Sequence, residues 1–157
     1  MVIPELEAID INYVYRKRYG LLFKEKGITR PWTAEDVSDG TIQILAMLAA
    51  VLDPRSKFTV IEEPENSIHS WIVSNFIETC REASKGKYVF LTTHSISLMD
   101  ILNPEELFVV YKVSGETRID RAIDLDVNLK EMLEQGDATL GGYIHSGGIP
   151  KLVPPGE

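Results

Sequence analysis

Phe58-Thr59-Val60-Ile61-Glu62-Glu63-Pro64-Glu65-Asn66 is the stretch whose reading decides the fold. Four apolar or β-branched residues run into two adjacent carboxylates and then a proline. A short unbroken apolar run predicts a strand buried on both faces, as in the middle of a parallel sheet. Pro64 has no amide hydrogen for a neighbouring strand, so the strand ends there. Glu62 and Glu63 then stand at its C-terminal end, the edge where open α/β sheets bind ligands. Neighbouring strand residues point to opposite sides, which lets one carboxylate hold a metal ion while the other faces a water. A charged strand end turning into solvent has the same composition, so the flanking segments carry the decision.

Downstream, residues 67–84 predict a helix, with Ile68, Ile72, Phe76, Cys80 and Ala83 as a packing stripe. Lys87 to Thr93 predicts a second buried strand ending at His94-Ser95. Strand, helix and strand make a βαβ unit with parallel strands, and the right-handed crossover rule sets His94 at the same sheet edge as Glu63. Upstream, Val37-Ser38-Asp39-Gly40-Thr41 opens a helix whose apolar face is read as Ile42, Leu45, Ala46, Ala49 and Leu52, and Asp53-Pro54 ends it. Ser38, Asp39 and Thr41 are all helix-capping types. An ordinary N-cap uses them, and so does an anion site, where free amides and the helix dipole meet a phosphate and Gly40 lets it come close.

The outer segments are plainer. Ala8 to Tyr15 alternates, with Ile9, Ile11 and Tyr13 on one side. After the polar turn Arg16-Lys17-Arg18-Tyr19-Gly20 the chain returns through Leu21 to Lys24 as a hairpin. Residues 96–102 predict a short helix and residues 106–111 a third core strand. Thr117 to Asp120 returns after Ser114-Gly115, and residues 127–135 predict another helix. Asp124-Leu125-Asp126 reads as a helix-start loop rather than a metal-binding pair, and the glycine- and proline-rich stretch from Gly136 reads as irregular.

The expected organisation is one α/β domain over 1–157, a mainly parallel sheet with flanking helices plus β-hairpins. Residues 1–30 would be the hairpin region, 37–111 the core and 136–157 a tail. A net charge of -8 argues against a chain that grips nucleic acid by itself, leaving only indirect contact. The single Cys80 excludes an internal disulfide and points to a reducing, cytoplasmic setting. No run approaches the roughly 18 apolar residues of a membrane span, so no membrane partner is expected.

Three motifs in order resemble the C-terminal half of an ABC-type ATPase domain, a P-loop NTPase, on the side of the RecF, OLD and SMC ATPases rather than the transporters. Val37-Ser38-Asp39-Gly40-Thr41 looks like the signature motif, Val60 to Asn66 like Walker B with Ser67-Ile68-His69 at the D-loop, and Thr92-Thr93-His94-Ser95 like the switch-histidine strand end. The resemblance implies ATP and Mg²⁺ as cofactors. It implies that Glu62 helps hold Mg²⁺, that Glu63 orients the attacking water and that His94 contacts the γ-phosphate. In such ATPases two domains sandwich ATP, so Ser38, Asp39, Gly40 and Thr41 would face the phosphate bound by a second protomer, with His69 at the seam. Asp39 fits only if its side chain points away from phosphate. Glu62 stands where many relatives have Asp.

One element of that family is missing from the sequence. No G-x-x-x-x-G-K-[ST] phosphate loop (Walker A) occurs in it. Its lysine and backbone donors make charge-assisted bonds of about 1.5–3 kcal/mol each. A micromolar site totals only about 8 kcal/mol. Turnover is therefore expected only with a Walker A lobe from a longer chain or a partner, and self-association to a homodimer is a further expectation. Two rivals remain open at this point: an inactive module that docks on a full ATPase through residues 38–41 and His69, and a metal-dependent nuclease built from Glu62, Glu63, Asp124 and Asp126.

Overall fold

A computed structural model describes residues 5–14, 18–66, 68–126 and 128–149. Residues 15–17, at the expected basic turn, Ser67 of the expected D-loop, and residues 150–157 lie outside the described residues. The chain divides into two compact units, Met1–Thr92 and Thr93–Glu157.

The first unit opens with the expected hairpin. Strands β1 (Leu6–Val14) and β2 (Arg18–Glu25) pair antiparallel with Ile9 opposite Phe23 and Ile11 opposite Leu21, and the short β3 (Trp32–Thr33) adds to β2. Phe23 is fully buried, whereas Ile9, Ile11 and Tyr13 are exposed. Helix α1 (Asp39–Leu52) follows, and Ser38 caps it by accepting from the Thr41 amide at 3.2 Å. Its far end is closed by Lys87, whose ammonium donates to the carbonyls of Ala50 and Asp53 at 3.1 and 3.3 Å. Asp53 is turned aside by an ion pair with Arg55 at 2.8 Å.

Strand β4 (Phe58–Glu62), helix α2 (Ser70–Ser84) and strand β5 (Tyr88–Thr92) form the expected βαβ unit. The strands are parallel, with Phe58 opposite Tyr88 and Glu62 opposite Thr92. The core lies between helices and strands: Ile44, Met47 and Val51 from α1 and Phe76 and Cys80 from α2 are buried, with Ile61, Val89 and Leu91 packed against them.

Two expectations are corrected here. The face α1 buries is Ile44, Met47, Leu48 and Val51, while Ala46, Ala49 and Leu52 of the expected stripe are exposed. α1 is apolar almost all round, so its sequence carries two stripes of helical period and only packing selects between them. The second correction concerns burial. β4 and β5 are covered on one face, and on the other Phe58, Val60, Tyr88 and Phe90 are 59, 54, 70 and 50% exposed. The rings of Phe58 and Phe90 stack on that open face, 5.0 Å apart.

The second unit begins with α3 (Ile96–Met99), a tight turn over Pro104–Glu106, and strands β6 (Phe108–Val113) and β7 (Glu116–Arg121). Ser114 and Gly115, at φ 51° and 86°, make the two-residue turn between them. Positive φ at both positions matches the twist of an antiparallel hairpin. The hairpin return expected after Ser114-Gly115 is present, with β6 pairing antiparallel to β7, but the strand expected over 106–111 is not a core strand throughout, since Phe108 and Val110 are exposed. Among the described residues the sheets are a three-stranded antiparallel one, the parallel pair and an antiparallel pair, so the fold is mixed α/β rather than mainly parallel. Each parallel step needs a crossover, and the described chain makes one such step.

Helices α4 (Ala122–Leu125), α5 (Leu129–Gln135) and α6 (Leu140–His145) close the unit. Ala122, Leu129, Leu140 and Ile149 form its core. The stretch from Gly136 is thus not irregular where it is described, since Thr139 caps α6 by accepting from the Gly142 amide at 3.2 Å. Asp100 accepts from the Gly141 amide at 2.7 Å. A Cβ on Gly141 would stand 2.5 Å from the Ile96 carbonyl oxygen, so glycine is what lets α3 and α6 approach.

Candidate functional site

The end of β4 is held at every handle. Glu62 is exposed and lies opposite Thr92. Glu63 has φ 43°, a left-handed conformation that a residue with a side chain rarely adopts. Such a conformation costs about 1–3 kcal/mol and persists where the surroundings over-determine it. Here its amide donates to the Thr92 carbonyl at 2.9 Å and its own carbonyl accepts from the Asn66 amide at 3.0 Å. The next residue, Pro64, is fully buried. The Glu63 carboxylate accepts from the side-chain amide of Asn66 at 2.7 Å. The two glutamates are thus adjacent in sequence and different in setting, one on an open strand end and one fixed in a turn.

A second feature of the same unit is a cleft of about 410 Å³ at the start of α1. Ser38, Gly40, Thr41 and His69 line it, so the sequence-predicted signature residues and the seam histidine do come together. Phe23 and Ile72 supply apolar walls. Ser38 and Thr41 bond each other through their hydroxyls at 2.9 Å. Asp39 is exposed and does not line the cleft. The approach to Ser38 is set by Asp36, whose carboxylate accepts from both the amide and the hydroxyl of Thr33 at 2.8 Å. Those bonds hold its carboxyl below the usual carboxylate range. His69 stands just before α2 and makes no capping bond with its side chain.

Glu5 and Glu25 also line the cleft and escaped the sequence reading. They sit at the open ends of β1 and β2, and no motif marks them; only the docking of the hairpin beside α1 brings them there. Glu62 and Glu63 are not among the cleft's lining residues, so the acidic strand end and the helix start are separate places in this unit.

His94 belongs to the second unit, two residues beyond β5 along the chain, and is exposed. Its neighbours fix the turn: Thr93 accepts from the Ser95 amide at 2.9 Å, and Ser95 accepts from the Leu98 amide at 3.3 Å to cap α3. Asp126 accepts from the Tyr143 hydroxyl and from the Asn128 amide, bonds that pull its carboxyl below the ordinary value. It is a loop-forming residue, as the sequence suggested. Among the described residues no group of three or more His, Cys, Asp and Glu could hold a metal ion. A Mg²⁺ ion that takes one carboxylate from protein and its other ligands from water and phosphate needs a solvent-reachable carboxylate, and that of Glu62 is exposed.

A family model described as "AAA domain, putative AbiEii toxin, Type IV TA system" matches residues 5–100, more than half of the chain. The chain belongs to this AAA domain family. The matched span holds the cleft, the acidic strand end and His94. The AAA domain also resembles a solved chain from work on "Structural biochemistry of ATP-driven dimerization and DNA stimulated activation of SMC ATPases", with a TM-score of 0.61 and 14% identity over 88% of this chain and 85% of that one. At that identity the likeness shows the fold alone. No curated protein matches the sequence. Among the described residues of this AAA domain, no helix is long and apolar enough to cross a membrane.

Proposed function

We propose that this AAA domain chain is the signature and Walker B half of an ATP-hydrolysing unit, completed by a phosphate-loop lobe from a longer chain or a partner protomer. Bound Mg²⁺ would neutralise charge on the nucleotide phosphates. Glu62 would hold the metal, and Glu63 orients and polarises the attacking water. His94 contacts the γ-phosphate. Ser38, Gly40 and Thr41 present the start of α1 to a phosphate held by the second protomer, with Asp39 turned outward and His69 beside them. Catalysis of this kind is positioning plus charge stabilisation, and it needs little covalent chemistry from the protein.

The observation that carries the reading is Glu63, a carboxylate at the end of a parallel strand kept at φ 43° by bonds to Thr92 and Asn66. Strain held in place by its surroundings clusters at functional sites. The need for more protein is supported by the open face of β4 and β5, since parallel sheets are ordinarily covered on both sides. The same open face and the missing phosphate loop also favour a second reading, an inactive module that docks on a complete ATPase.

Phosphate release separates the two. Calorimetry of the chain alone with Mg-ATP is expected to show no micromolar binding. Adding a phosphate-loop lobe is expected to start phosphate release, and Glu63→Gln to abolish it. Release that survives Glu63→Gln, or no release with any lobe that binds the chain, leaves the docking reading in its place.

A further inference from the structure

We infer that Asn66 is a positioning residue for Glu63, the side chain that aims the carboxylate before any substrate arrives. The inference rests on the hydrolytic reading above and gives the Asn66 side chain a role that reading does not assign.

Asn66 touches Glu63 twice. Its backbone amide donates to the Glu63 carbonyl at 3.0 Å and closes the turn, and its side-chain amide donates to the carboxylate at 2.7 Å. The first bond fixes where the turn runs; the second fixes where the carboxylate points. The two are separable, because any residue keeps the backbone bond and only a side-chain donor of suitable length keeps the other. Asn offers two side-chain N–H donors, of which one serves Glu63 and the other remains available. A carboxylate has sites for several hydrogen bonds, so accepting one from Asn66 leaves room for a water. The backbone of Glu63 is held by the Thr92 carbonyl and followed by the buried Pro64, while among the described residues its carboxylate is held by Asn66. A general base held ready in this way saves the reorientation that an unrestrained side chain would need at each turnover.

The test has two arms. In the full chain, the side-chain amide protons of Asn66 are followed by nitrogen-15 NMR, with exposed Asn12 as the internal reference. Exchange with water is expected to be about tenfold slower at Asn66 than at Asn12, the scale of a hydrogen bond to a charged group. The difference should vanish in Glu63→Ala. Equal exchange in the wild type and in Glu63→Ala overturns the inference whatever the enzyme does. In the second arm, phosphate release is measured with the phosphate-loop lobe present. Asn66→Ala is expected to lower kcat by roughly 10- to 100-fold with KM unchanged, the scale of a misaimed catalytic group. Asn66→Gln, which keeps a donor, should recover part of the rate. A purely structural role would instead leave kcat intact and lower only the melting temperature. Wild-type turnover that Asn66→Ala leaves unchanged sinks this inference alone, whereas a wild-type mixture with no turnover sinks the hydrolytic reading and takes this one with it.

Discussion

At the scale of a residue, strain and burial give the sharpest expectations. Glu63 sits at φ 43°, where glycine carries no Cβ penalty. Glu63→Gly is therefore expected to stabilise the fold by up to about 1 kcal/mol while removing phosphate release, a trade that thermal melting and the activity assay read together. A melting temperature well below wild type would mean that the lost side-chain bond to Asn66 outweighs the strain. Cys80 makes the opposite kind of case. Burial among the α1 and α2 side chains pushes its thiol up from an ordinary 9.0 to about 12, with Lys87 pulling slightly the other way. The folded state thus keeps the proton that the unfolded chain gives up. Stability from this group is whole below about pH 9 and is lost as pH rises towards 12. Melting temperature is expected to fall over that window, and Cys80→Val should flatten the fall. A thiol reagent at pH 8 should label the native chain slowly and the unfolded chain at once. The places of Glu62, Glu63, Ser38 and His94 at or just beyond the ends of elements were legible in the sequence. The positive φ of Glu63 was not, because it depends on a bond to Thr92 at the end of β5 that no local pattern encodes.

At the scale of an element, α1 shows what periodicity decides and what it leaves open. Its start and stop were legible from Ser38 and from Asp53-Pro54, because caps and breakers act locally. Its buried face was not, because apolar residues fall on more than one side and the choice is made by Phe76, Cys80 and Ile61 across the core. The two stripes predict different costs. Ile44→Ala, at a fully buried position, is expected to cost about 2–5 kcal/mol. Leu52→Ala, on the stripe the sequence favoured, should change stability by no more than about 0.5 kcal/mol. Urea unfolding of both variants checks the pair, and equal costs would contradict the packing described. The β6–β7 hairpin teaches the same lesson. Ser114-Gly115 announced the turn and its return strand, yet nothing in 106–111 showed that Phe108 and Val110 would stand exposed.

At the scale of the whole molecule, the open face of β4 and β5 matters most. Phe58, Val60, Tyr88 and Phe90 form an apolar surface on a parallel pair with no further strand beside it among the described residues. A two-stranded sheet is marginal without cover, and an exposed patch of this kind marks a place where protein meets protein. Removing such a surface should leave the fold nearly untouched, since side chains more than half exposed contribute little to the core. Val60→Thr with Phe90→Thr keeps β-branched residues in both strands and deletes much of the apolar area. The double variant is expected to melt within a few degrees of wild type, on the scale of a ΔΔG below about 1 kcal/mol. In sedimentation runs over a concentration series, the wild type should show reversible self-association that the variant loses, together with a drop in the fluorescence of a dye that reports exposed apolar surface. The same variant should fail to assemble with a phosphate-loop lobe, because a surface that sticks to copies of itself when open is the one a completing lobe would cover. A variant that still recruits the lobe would place the join elsewhere on the chain.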